Sequence, residues 1–157
     1  MLSIYLNDHL AGATGGVELF SRTAGALHGS PVGAALERMA EEIREDRATL
    51  QEVMRSLGIS QRRYKMSAAW LAEKAGRLKL NGHLRSRSPL STLVELEAML
   101  LGVEGKAALW RTLRAVADEH ERLSASQFDA LQDRARQQAS TLEELRAQAA
   151  VEALATT

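Results

Sequence analysis

Apolar side chains recur along this chain at alternating intervals of four and three residues, the spacing that lines one side of a helix. Residues 2–28 carry such a seam at Leu6, Leu10, Ala13, Val17, Phe20, Ala24 and Leu27. A second runs through Val32, Leu36, Met39, Ile43, Leu50, Val53 and Leu57, and its one position without an apolar side chain is Asp46. A third follows Leu93, Leu96, Leu100, Val103, Ala107 and Trp110 and continues to about His120. The fourth follows Phe128, Leu131, Ala135, Leu142, Leu145 and Ala149, with Gln138 interrupting it. Four long helices are predicted.

Helix-ending and helix-starting residues sit between the seams. Gly29 suits the residue after a helix, and Ser30-Pro31 supplies a cap followed by proline at the first helical position. Leu57-Gly58 ends the second helix in the same way, and Ser88-Pro89, with Thr92 and Glu95 as a capping box, opens the third. Ser126 with Asp129 is the predicted cap of the fourth, whose end frays into Ala155-Thr156-Thr157. Residues 59–88 have room for a short helix over about 68–80, capped by Ser67, striped by Leu71, Ala75 and Leu78 and closed by Asn81-Gly82. A two-residue joint forces an antiparallel hairpin, and a helix of roughly 27 residues spans about 40 Å, which the long connection can return. The expected fold is therefore all-α: a four-helix bundle, two antiparallel hairpins joined by a long crossover (about 58–88), forming one domain over residues 1–157.

Composition agrees with that fold. The chain has 157 residues with 45% hydrophobic and 25% charged side chains, ordinary for a soluble globular domain, and only 4% aromatics and two prolines. The absence of cysteine excludes disulfides, thiolate metal sites and a cysteine nucleophile. The first twenty residues contain Asp8, His9 and Glu18 without a basic start, and no apolar run has the length of a membrane span, so a cytoplasmic location without membrane contact is expected. Net charge is zero but unevenly placed: from Arg55 to Arg87 nine basic side chains face Glu73 alone, a local charge of +8 that leaves −8 on the remainder.

Heights counted from the end where the first helix stops place Asp46 and Gln138 at one level. Thr14 and Glu104 fall close to it, which predicts a polar core layer of Asp46, Gln138, Thr14 and Glu104. Two readings of Asp46 are open. It is a buried carboxyl bonded to Gln138 or Thr14, or paired with an arginine such as Arg111, that fixes helix register; or it is an acid/base or metal-ligating group. Gly12, Gly15, Gly16, Gly102 and Gly105 crowd the same level, each costing about 1 kcal/mol against alanine inside a helix. They read either as close helix packing or as room for a ligand, water or ion.

Two hairpins, a long crossover and mid-height carboxylates resemble the ferritin-like superfamily in architecture. That resemblance implies a di-iron site built from a glutamate on each of two helices and a Glu-x-x-His pair on each of the others. Here the residues three before His9, His28, His83 and His120 are Leu6, Gly25, Leu80 and Ala117, so the motif is absent. A carboxylate-only site for a divalent metal ion, using Glu18, Glu42, Asp46 and Glu104, is the remaining metal reading.

Other chemistry is thinly signalled. Ala11-Gly12-Ala13-Thr14-Gly15-Gly16 lacks the Gly-Lys-Ser/Thr ending of a phosphate loop and sits in a helical pattern. His120, within Asp118-Glu119-His120-Glu121, reads as a solvated helix end. Arg62, Arg63, Lys65, Arg85 and Arg87 are candidate phosphate contacts, with Tyr64 or Trp70 able to stack on bases; the alternative is a basic strap lying on an acidic bundle face. The expected function is a non-enzymatic one, by association with a second copy through Ile4, Val94 and Leu101, or with another protein. The alternatives are a carboxylate-only metal-binding or oxidoreductase bundle and a nucleic-acid-binding protein.

Overall fold

The computed structural model describes residues 1–61 and 88–155. The anion-contact candidates Arg62, Arg63, Lys65, Arg85 and Arg87, the stacking candidates Tyr64 and Trp70, and the short helix expected over about 68–80 lie outside the described residues. Those residues form four α-helices without a strand: α1 (Leu2–Ala26), α2 (Pro31–Ser56), α3 (Pro89–Val116) and α4 (Ala125–Leu154). The chain is all-α. None of these helices is long and apolar enough to cross a membrane.

Local chemistry sets the boundaries. Ser30 is extended (φ −98°, ψ 156°), and its hydroxyl oxygen accepts from the Gly33 N–H at 3.0 Å, with Pro31 following. Ser88 caps α3 by accepting from the Leu90 N–H at 3.3 Å, again ahead of proline. The chain leaves α1 and α2 through Gly29 (φ 83°) and Gly58 (φ 69°), left-handed conformations that favour glycine. Two boundaries differ from the sequence reading. The cap of α4 is Ser124, whose hydroxyl accepts from the Gln127 N–H at 3.3 Å, so Ser126 is already helical. And α3 tightens into a 3₁₀ turn at Ala117–Glu119 before His120, which is extended.

Burial follows the seams. Leu6, Leu10, Phe20 and Ala24 of α1 join Leu36, Met39, Ile43, Leu50 and Val53 of α2 in one core, with Leu96, Val103, Trp110, Phe128, Ala135 and Leu142 from α3 and α4. Helix α1 packs along α2 and α3 along α4; α1 also touches α3, while the α2–α4 contact is slight. Off the seams, Ile4 and Leu101 are exposed at 53% and 75%, whereas Val94 is half-buried.

The α1–α2 joint is tight. Ser30 donates both its N–H (3.1 Å) and its hydroxyl (2.7 Å) to the Leu27 carbonyl, and a Cβ built on Gly33 would lie 2.2 Å from that same oxygen. Alanine at this position must push backbone aside. Gly33→Ala is expected to lower stability by about 2 kcal/mol, read from urea unfolding, although alanine is the better helix former; an unchanged or higher stability would contradict this geometry.

Candidate functional site

Asp46 stands on the buried face of α2 and is 2% exposed. Both of its carboxylate oxygens are engaged: Lys106 of α3 donates to Oδ2 and Arg134 of α4 donates to Oδ1. The same Lys106 ammonium donates to Oε1 of Gln138, itself 3% exposed, and Gln138 Nε2 donates to Glu42 Oε2 at 2.7 Å. Only this amide orientation serves both neighbours, since the reverse would set N–H against ammonium and oxygen against carboxylate. Arg134 also reaches Glu45 at 3.0 Å on the exposed rim. One carboxylate thus joins three helices.

Electrostatics follow from burial. The Lys106 side chain is 13% exposed, and removal from water pulls its pKa below the ordinary value of 10.5, with the Asp46 charge acting in the opposite direction. A buried carboxylate is tolerable when paired and hydrogen-bonded, which Lys106 and Arg134 accomplish together. The Arg134 Nε–H and the Trp110 indole N–H are buried side-chain donors without a hydrogen-bond partner among the described residues.

The structure places the four residues of the expected layer differently from one another. Asp46 and Gln138 do meet, through Lys106. Thr14 lies apart from them, donating to the Leu10 carbonyl at 2.9 Å and accepting from Arg47 Nε at 3.1 Å. Glu104 is exposed, because two residues along a helix from Lys106 turn a side chain by about 200°. Arg111, the arginine suggested as a partner of Asp46, is exposed too, and Arg134 takes that place. The carboxylate-only metal set is not assembled: Glu18 and Glu104 are exposed, Glu42 is half-buried against Gln138, and no group of three or more His, Asp or Glu that could hold a metal exists among the described residues.

Two residues of the junction escaped the sequence reading. Lys106 did leave a trace, since Met99 and Leu113, both buried, flank it at seven-residue spacing and mark its row as inward-facing. Arg134 flanks the seam between Leu131 and Gln138 and left none, because an arginine there is equally consistent with a solvated helix flank.

Beside the junction lies a pocket of about 340 Å³. Tyr5 of α1 donates to Thr112 of α3 at 3.1 Å, and Thr23 of α1 donates to Glu95 of α3 at 3.0 Å, so residue numbers climb on one helix as they fall on the other. In that register Gly12 falls opposite Gly105 and Gly16 opposite Gly102. All four line the pocket, between its two pinned ends. Among the described residues, a Cβ on Gly12, Gly102 or Gly105 would meet nothing within 4 Å, and one on Gly16 would only reach Ile43 at 4.0 Å; Gly12 and Gly102 are themselves exposed. These glycines leave space; they do not bring backbones together.

The walls are mostly apolar, with Leu19, Phe20, Ile43, Leu50, Met99 and Val103 among them. The charged groups are few: Asp46, Lys106 and Arg47 on the inner side, and Asp8 with His9 towards the start of α1. Burial lowers the His9 pKa, the Asp8 charge opposing it. His9 stacks edge-on against Tyr5, ring centroids 4.6 Å apart. No protein-family model, curated protein or solved structure matches the chain.

Removing the shared carboxylate strands two cations. Asp46→Ala is expected to cost about 3–5 kcal/mol in urea unfolding, whereas Glu45→Ala, which cuts only the rim contact to Arg134, should cost less than about 1 kcal/mol. Equal small losses for both variants would refute the account of the junction.

Proposed function

We propose that this chain is a binding protein whose α1–α3 pocket takes up a small, largely apolar molecule, on a four-helix bundle of ferritin-like topology without a di-iron centre. Support for the topology comes from register. Thr14 bonds Arg47, Ser21 bonds Arg44 and Asn7 bonds the Ser60 carbonyl, as expected of an antiparallel α1–α2 hairpin. Lys106 with Gln138 and Arg114 with Asp129 run the same way between α3 and α4. The α1–α3 contacts run the same way, so α2 and α3 are parallel and α3 starts at the opposite end from where α2 stops.

The observation that carries the binding reading is the pairing of glycines across the pocket. Four mid-helix glycines each cost about 1 kcal/mol relative to alanine, and among the described residues no packed neighbour occupies the space they leave. A volume of 340 Å³ is within the range of small-molecule sites, and an apolar wall with a few convergent polar groups is their usual composition. Association with a protein draws less support, because the exposed Ile4 and Leu101 stand on different helices about as far apart along the bundle as Leu101 is from Leu113.

Filling the space tests this directly. Gly16→Leu combined with Gly105→Leu is expected to abolish uptake of a neutral apolar fluorophore that the unaltered chain binds, while the more helix-favouring side chains hold or raise thermal stability. Undiminished uptake in the filled variant, or none by the unaltered chain, would overturn the reading.

A further inference from the structure

The charges on the pocket wall specify more than an apolar guest. Lys106 is neutralised by Asp46, and both oxygens of Asp46 are occupied. Arg47 is different. Its Nε donates to Thr14 at 3.1 Å, and it has no carboxylate partner among the described residues, although its neighbours Arg44 and Arg134 are both ion-paired. Arg47 lines the pocket midway along α1, at the level of Thr14. Asp8, the other charge on the wall without an ion-pair partner among the described residues, is six residues from Thr14 on α1, about 9 Å along the axis.

We infer that the occupant is a free monocarboxylate with an unbranched or otherwise slender apolar body, its carboxylate held by Arg47. This inference rests on the binding reading above and adds the chemical class of the guest. A planar guanidinium whose two terminal nitrogens are unclaimed among the described residues matches a carboxylate in geometry as well as charge. The apolar body lies along Gly16, Phe20, Ile43, Met99 and Val103, away from Asp8, whose charge repels a carboxylate at the opposite end. Opposite signs at separate positions thus orient the guest. Arg47 is half-buried and has no ion pair among the described residues, so a carboxylate reaches it without breaking one.

The test uses the full chain loaded with a neutral apolar fluorophore and displaced by three probes of equal chain length: decanoate, 1-decanol and decylamine. The expected result is displacement by decanoate at a concentration about tenfold lower than by decanol, the effect of one charge-assisted hydrogen-bonded contact at a partly exposed site. Arg47→Gln should bring decanoate and decanol to about equal displacing concentrations, and Arg47→Lys should keep part of the preference. Equal displacement by decanoate and decanol, a preference that survives in Arg47→Gln, or stronger displacement by decylamine would overturn the anion assignment while leaving the apolar pocket in place. Failure of the unaltered chain to take up the fluorophore would overturn both.

Discussion

A carboxylate withdrawn from water must be answered by positive charge, and at Asp46 this requirement ties α2 to α3 and α4 at once. Few backbone positions of α2 and α4 come close, and the contacts of Arg134 with Asp46 and Glu45 and of Gln138 with Glu42 cross that face. Well-packed apolar residues could stabilise such a core equally well. What the ionic junction adds is register: a shift of one helical turn in any of the three helices would leave a buried charge without its counter-charge. Gln138 extends the constraint outward to Glu42.

The junction also shapes the pocket. With Lys106 drawn inward to Asp46 and Gln138, α3 presents Gly102 and Gly105 towards α1, and α1 answers with Gly12 and Gly16. Polar contacts at Tyr5–Thr112 and Thr23–Glu95 hold the helices at the two ends of the opening. The space between is therefore framed by fixed contacts. On its inner side Asp46 and Lys106 satisfy one another, and among the described residues Arg47 is the lining cation without a carboxylate partner.

Much of the helical pattern was legible because a period near 3.6 leaves few alternatives, and because Ser30-Pro31 and Ser88-Pro89 mark starts with two independent signals each. The cap of α4 was misplaced by two residues because Ser124 and Ser126 offer the same chemistry, and only backbone conformation separates them. Asp46 and Gln138 were visible as polar residues on apolar seams. Their partners were harder to see: lysine and arginine reach inward from flanking positions on long stems, so seam position does not reveal them. The glycines were visible and their role was not, since a glycine that admits a neighbouring helix and one that leaves a void are the same letter.

On the proposed binding reading, the four paired glycines border a space that a guest enters. Backbone amide resonances of a uniformly ¹⁵N-labelled chain, followed during titration with a neutral apolar probe, test it most directly. The account predicts that Gly12, Gly16, Gly102 and Gly105 shift together along one saturating curve while Gly33 and Gly58 stay in place. Shifts confined to residues outside the α1–α3 face, or no saturable change at those four amides, would contradict it.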